Sequence, residues 1–399
     1  MRDKPALEGS TPIRRQPLPF HRPSLGLAEE NAVLEVLRSG WLARGARTAE
    51  LEERLAEYTG AGQVLALNSC TAALELALIL AGVQQGDEVI VPTLTFAATA
   101  NVVVHLGARP VLVDVEQDTL NIDPEAVAAA ITSRTRAIMA VDFAGHPAEY
   151  DDLNAVAAGS GLPLVRDAAH SLESRYRERR VGEDTPFTCL SFYANKNMTT
   201  GEGGALLART SGDLPERAAA LSLHGMSRHA WQRYGAGGFN HYDITEAGHK
   251  WNMFDLQAAL GLVQLARVDE WLPRREEIVQ RYRCELEGHA AVEIPTIRPH
   301  VRMAHHLFMV SLVPGALRVD RDHVLNAMQA EGIGVAVHYR ALHQHTFYRE
   351  HFGYEEKNFP VATRAANHLI SLPLFPGMTD RDAGDVITAL NRILTYYAA

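Results

Sequence analysis

The chain has 399 residues, enough for two domains with substantial cores. It is 47% hydrophobic and 22% charged with a formal net charge of −10, which argues against a nucleic-acid surface. No run approaches the ~20 apolar residues of a membrane span, and Cys70, Cys189 and Cys284 form an odd count without metal-ligand spacing, so a reduced cytoplasmic protein is expected.

Residues 1–23 are polar, rich in Arg and Pro, and lack the apolar centre of a signal peptide; they read as an extended arm. Helical spacing runs over 27–38 and stops at Ser39-Gly40; a second helix is expected over 48–58. From Gln63 onwards strands and helices alternate. Strand 64–67 precedes helix 71–81, strand 88–91 precedes a helix over about 96–106, and 110–114 is strand-like. Asp123 caps the next helix, with Pro124 in its first position. Strands 137–141, 162–165, 188–192 and 205–208 complete the series. They are short, apolar and not alternating, as strands are when helices cover both faces of a sheet. A mainly parallel α/β sheet follows, with ligand chemistry at the strand C-terminal ends. A long helix is expected over 253–272. Strand 307–312, helix 322–331 and helix 380–396 follow it in a smaller C-terminal α+β domain. The expected division is an arm over 1–23, a large domain over 24–265 and a small domain over 266–399.

Only four lysines occur: Lys4, Lys196, Lys250 and Lys357. Lys196 lies in Ser191-Phe192-Tyr193-Ala194-Asn195-Lys196, between an apolar strand and the glycine turn Gly201-Glu202-Gly203-Gly204. A lysine amine can lose its proton and form an imine, which arginine cannot. This points to pyridoxal phosphate (PLP), and further residues suit that cofactor. Asp167 ends a strand beside Ala168 and Ala169, where a carboxylate can face a protonated pyridine nitrogen; its plainer role is a helix N-cap. Asn68-Ser69-Cys70-Thr71 leads from strand to helix and offers amides and hydroxyls to a phosphate, or merely a cap. Ser191 adds a hydroxyl. Phe96, at a strand end, is a candidate to stack on the ring, although an isolated Phe is usually core. His343 and His345 read as a surface loop, not a metal site, and Cys70 as a packing residue. No dinucleotide glycine fingerprint is present, which opposes a nicotinamide-dependent reductase.

With these residues in place, the chain resembles the DegT/DnrJ/StrS-type sugar aminotransferases, PLP enzymes of fold type I. The likeness rests on Ser39-Gly40-Trp41-Leu42, 68–74, 92–100, 167–170, 191–204, 248–260 and 371–378, in that order. The resemblance implies that Lys196 holds PLP as an imine, Asp167 pairs with the ring nitrogen, and His170 sits near the phenolic oxygen. It implies that Phe96 stacks on the ring, and that Ser69, Cys70 through its backbone, Thr71 and Ser191 hold the phosphate. In such dimers the loop before the long helix reaches the neighbour's phosphate, and Lys250 lies in that loop here. His224 and Arg228, like His338 and Tyr339, resemble substrate-side loops. The implied partners are an amino donor, glutamate above all, and a keto-sugar acceptor, nucleotide-linked or a keto-inositol. Members that remove a hydroxyl instead carry His at the lysine position, so Lys196 argues against that activity. PLP-binding regulators usually add a DNA-binding segment; the acidic charge and absence of a basic helix oppose that role.

Overall fold

The structure is a computed structural model, and it describes residues 3–210, 216–226 and 243–399. Its centre is a sheet built from β1 (Gln63–Leu67), β2 (Glu88–Pro92), β3 (Arg109–Val113), β4 (Thr135–Val141) and β5 (Leu164–Asp167). A short ribbon, β6 (Arg175–Tyr176) and β7 (Arg179–Arg180), interrupts the series before β8 (Phe187–Ser191) and β9 (Gly204–Ala208) complete it. The seven strands lie in the order β1-β9-β8-β5-β4-β2-β3. β9 pairs antiparallel with both neighbours, and the other pairings are parallel. The sheet is mainly parallel with helices between its strands, as the short apolar strands and the alternation of strand and helix imply.

Local sequence explains the helices. α1 (Leu27–Ser39) ends at Gly40, whose φ of 73° suits only a residue without Cβ strain. α2 (Ala46–Thr59) follows. Ser69 caps α3 (Cys70–Leu80) by accepting a hydrogen bond from the Ala72 amide at 3.1 Å, a contact worth about 1 kcal/mol. α4 (Ala98–His105) is shorter than expected and leaves Phe96 outside the helix. α5 (Pro124–Ala130) begins as foreseen, with Asp123 accepting from the Glu125 amide at 2.9 Å. α6 (Tyr150–Gly159) and α7 (Glu216–Ser222) complete the large unit.

α8 (Asp255–Leu286) corrects the expectation of a helix ending at residue 272. Pro273 is accommodated inside it, and Ile278, Val279, Tyr282 and Leu286 continue as buried residues. Tertiary burial therefore outweighs the local cost of an interior proline. The expected division after residue 265 falls within this helix. Beyond it lie β10 (Val292–Glu293), β11 (Val301–Arg302), β12 (Phe308–Leu312), α9 (Arg321–Ala330), α10 (Thr346–Phe352), α11 (Pro360–His368), β13 (Leu369–Leu372) and α12 (Asp380–Tyr397). β12 runs between β10 and β13 in a separate antiparallel sheet.

The arm is docked rather than free. Leu18 pairs with Ile333 and is buried in a hydrophobic cluster with Tyr282, Val310 and Leu390, and Arg14 bonds Asp382 and Asp385 at 2.7 Å each. Its end brings Phe20 against His338, ring centroids 5.4 Å apart. His343 overturns the surface-loop reading. It is buried, with Nδ1 2.8 Å from Thr93 Oγ1 and Nε2 2.9 Å from Thr363 Oγ1. The segment after β12 packs back on the large unit, which no local pattern reveals. Among the described residues, no helix is long and apolar enough to cross a membrane, and no cluster of side chains suits a metal ion.

Candidate active site

The strands that point the same way deliver their C-terminal residues to one edge of the sheet. There a cavity of about 450 Å³ is lined by Ser69, Cys70 and Thr71 after β1, Thr95 and Phe96 after β2, and Asp167 at the end of β5. Ser191 at the end of β8, Lys196 beyond it, and Gly203 before β9 also line it. His338 and Tyr339 close it from the C-terminal side. Gly204 allows the approach of β9 to α3. A Cβ there would meet the Cys70 backbone nitrogen at 2.4 Å, so the amides at the start of α3 depend on glycine at this position.

Asp167 is buried and does not cap a helix. Its Oδ2 accepts from Thr99 Oγ1 at 2.9 Å, and its Oδ1 from the Ala169 amide at 3.2 Å. Burial raises its pKa, opposed by the Thr99 hydroxyl, the Ala169 amide and the Lys196 charge. The backbone behind it is tied to Asp142, whose amide donates to the Asp167 carbonyl at 3.0 Å. Asp142 in turn pairs with Arg166 at 2.7 Å, and Arg166 with Asp184 at 2.8 Å, all three fully buried. Removing one member would leave an uncompensated buried charge, a loss of about 3–5 kcal/mol, so this network braces the end of β5.

Burial lowers the Lys196 pKa to about 8, against the attraction of Cys70 and Asp167. About a tenth of the amine is then neutral at pH 7, against roughly one part in three thousand for an unshifted lysine. Only the neutral amine attacks an aldehyde. The rate at which the cofactor-free protein takes up PLP should therefore rise about tenfold per pH unit below 8 and level off above it. Stopped-flow absorbance of the cofactor measures this; a rate still climbing tenfold per unit at pH 10 would show an ordinary lysine.

His170 is buried and held neutral, its pKa pushed down by burial and by the Lys196 and His338 charges. Its Nε2 lies 3.0 Å from the Tyr339 hydroxyl, while its Nδ1 is buried without a hydrogen-bond partner. His338 Nδ1 lies 2.8 Å from Ser371 Oγ. Phe96 is 62% exposed, which fits a ring that covers a ligand better than one that fills a core. Its centroid is 5.9 Å from that of Tyr339.

The cavity thus brings together Ser69, Cys70, Thr71, Phe96, Asp167, His170, Ser191, Lys196, His338 and Tyr339. It does not include Lys250 or His224. Lys250 is exposed and its Nζ bonds Asn252 Oδ1 at 2.6 Å, beside the end of β1. Arg228 lies outside the described residues. Sequence reasoning assigned no role to Thr95, Thr99 or Asn195. The threonines stand four apart around Phe96, a spacing that could have suggested adjacent hydroxyls. The set fits PLP: a depressed amine, a buried carboxylate without a cation bonded to it, an unpartnered imidazole nitrogen and a glycine-dependent helix start.

Known proteins resemble this chain over nearly its whole length. The profile of the DegT/DnrJ/EryC1/StrS aminotransferase family matches residues 23–391. The spore coat polysaccharide biosynthesis protein SpsC of Bacillus subtilis is 43% identical over 378 residues, covering 94% of this chain and 97% of its own. Spr1654 from Streptococcus pneumoniae, solved in PMP and PLP forms, is 34% identical. In the PMP form it aligns with a TM-score of 0.89 over 95% of this chain and 99% of its own. DesI, solved in the presence of its TDP-sugar product, is 30% identical, with a TM-score of 0.86 over 98% of this chain and 96% of its own. The strand-end lysine and carboxylate, the type I fold and these likenesses agree: the chain belongs to the DegT/DnrJ/EryC1/StrS aminotransferase family and is a PLP-dependent sugar aminotransferase.

Proposed function

We propose that the enzyme takes an amino group from an amino acid, glutamate above all, and delivers it to a nucleotide-linked keto-deoxysugar. The observation that carries the reading is the depressed Lys196 amine beside the buried Asp167 carboxylate in one strand-end cavity. The likeness to DesI, solved with a TDP-sugar product, supports a nucleotide-linked acceptor.

When bound, the cofactor supplies an electron sink for negative charge at the carbon bearing nitrogen. The chain supplies everything else. Lys196 holds the cofactor and, once displaced, takes and returns a proton at Nζ. Asp167 keeps the ring nitrogen protonated. Ser69, Thr71, Ser191 and the Cys70 amide bind phosphate at the start of α3, where the helix dipole favours an anion. Phe96 covers one ring face, and His170 offers Nδ1 to the phenolic oxygen. His338 and Tyr339, which close the cavity from the C-terminal side, contact substrate. Three free thiols, Cys70, Cys189 and Cys284, suit a cytoplasmic enzyme.

Lys250 acts from the partner of a homodimer. Supporting this, it stands outside its own cavity, and α1 and the loop after it expose Leu27, Leu34, Leu37, Trp41 and Leu42. Mixing inactive Lys196→Ala with an inactive Lys250→Glu chain should restore activity as subunits exchange, since one site per mixed dimer then has both groups intact. Demonstrated exchange without recovery sinks the shared site. The acceptor is tested by offering the holoenzyme glutamate or glutamine with a panel of keto-sugar nucleotides and keto-inositols. Amination confined to the keto-inositols would overturn the nucleotide-linked reading.

A further inference from the structure

We propose that Thr99 is a positioning residue for amino transfer: its hydroxyl holds Asp167 ionised and directed at the cofactor's ring nitrogen. The inference rests on the reading of Asp167 as that nitrogen's partner.

The hydrogen-bond directions follow from the donor inventory. An ionised carboxylate only accepts, so the proton between Thr99 Oγ1 and Asp167 Oδ2, 2.9 Å apart, belongs to Thr99. Having donated it, the Thr99 hydroxyl is left to accept from Thr95 Oγ1, also 2.9 Å away. Two hydroxyl dipoles therefore align on one carboxylate oxygen. Thr95 and Thr99 are 2% and 0% exposed, so water does not compete with either bond. The remaining oxygen, Oδ1, takes the Ala169 amide and lies 4.0 Å from Cys70 Sγ. Thr99 is thus the one side-chain oxygen donor to Asp167 among the described residues.

The residue is placed by topology. Thr99 sits in the first turn of α4, after β2, whereas Asp167 ends β5, and β4 runs between those strands. The hydroxyl reaches across the C-terminal end of β4. Burial disfavours the ionised carboxylate, and the Thr99 bond is the foremost influence opposing it, ahead of Ala169 and Lys196. Other titratable groups around Asp167 are Cys70 on α3, Asp142 after β4, Cys189 on β8, Lys196 beyond β8, and Tyr339 from the C-terminal side. None is removed by a change at Thr99.

A merely structural Thr99 would be served by valine, which keeps its shape, as well as by serine, which keeps only the hydroxyl. Holoenzymes of the unaltered chain, Thr99→Val and Thr99→Ser are reconstituted with PLP carrying 15N in the ring, and the nitrogen shift is followed against pH. In Thr99→Val the ring nitrogen should lose its proton about one pH unit lower, because the carboxylate facing it is less well stabilised as an anion. Its kcat should fall about tenfold, while KM for the amino donor stays within about threefold. Thr99→Ser should restore both. Thr95→Val, which leaves the bond to Asp167 in place, should give a smaller shift of the same sign and decides the matter if Thr99→Val does not fold. An unaltered nitrogen titration in whichever of these valine variants folds, or a serine variant as impaired as the valine one, overturns the inference. An unprotonated ring nitrogen in the unaltered enzyme overturns the reading of Asp167 itself, which the Asp167→Asn variant tests separately.

Discussion

Replacing Lys196 by alanine should lower turnover by at least about a thousandfold and abolish the covalent link to PLP. Both effects have one cause. In the proposed mechanism the same amine anchors the cofactor and carries the proton, and no other lysine lines the cavity to take over either task. The other lysines are poorly placed. Lys4, Lys250 and Lys357 are exposed, and none lines the cavity. Borohydride reduction followed by peptide mapping checks the assignment: the unaltered chain should carry the cofactor on Lys196 and the variant on no residue. A reducible imine at another lysine, with turnover retained, would remove Lys196 from its role.

Asp167→Asn should still bind PLP yet transfer amino groups at least about 100-fold more slowly. The amide keeps the shape of the side chain and can keep one of its two hydrogen bonds. It cannot hold a proton on the facing ring nitrogen, so the ring loses its pull on electrons. The two effects separate in measurement, because cofactor content should change little while kcat falls. Near-normal turnover would reduce Asp167 to a residue that only shapes the turn after β5.

Much of this site was legible in the chain because its signals are local. A lysine between an apolar strand and a glycine turn, and an Asp ending another strand beside two alanines, need no tertiary knowledge to stand out. The helix starts at Ser69 and Asp123 were readable for the same reason: a cap acts within three residues. Expectations failed where burial overrode local cues. The helix expected to stop at 272 runs on through Pro273 because Ile278, Val279, Tyr282 and Leu286 beyond it are buried against the C-terminal elements. His343 looked like part of a polar loop, but Thr93 and Thr363, far away in sequence, satisfy both its nitrogens.

By itself, then, the sequence determined the α/β alternation, the capped helices, and the lysine and aspartate that one cavity brings together. Each depends on patterns within a few residues, or on chemistry that only one side chain can supply. The tertiary structure alone decided which strand ends share a cavity, since the order β1-β9-β8-β5-β4-β2-β3 is not the order along the chain. That order brings Thr99 to Asp167 across β4, and lays Tyr339 against His170 from 169 residues away. It also leaves Lys250 outside the cavity of its own chain. Such contacts arise where the C-terminal elements pack back on the large sheet, and that packing reflects the shape and burial of the whole chain rather than the spacing of any motif.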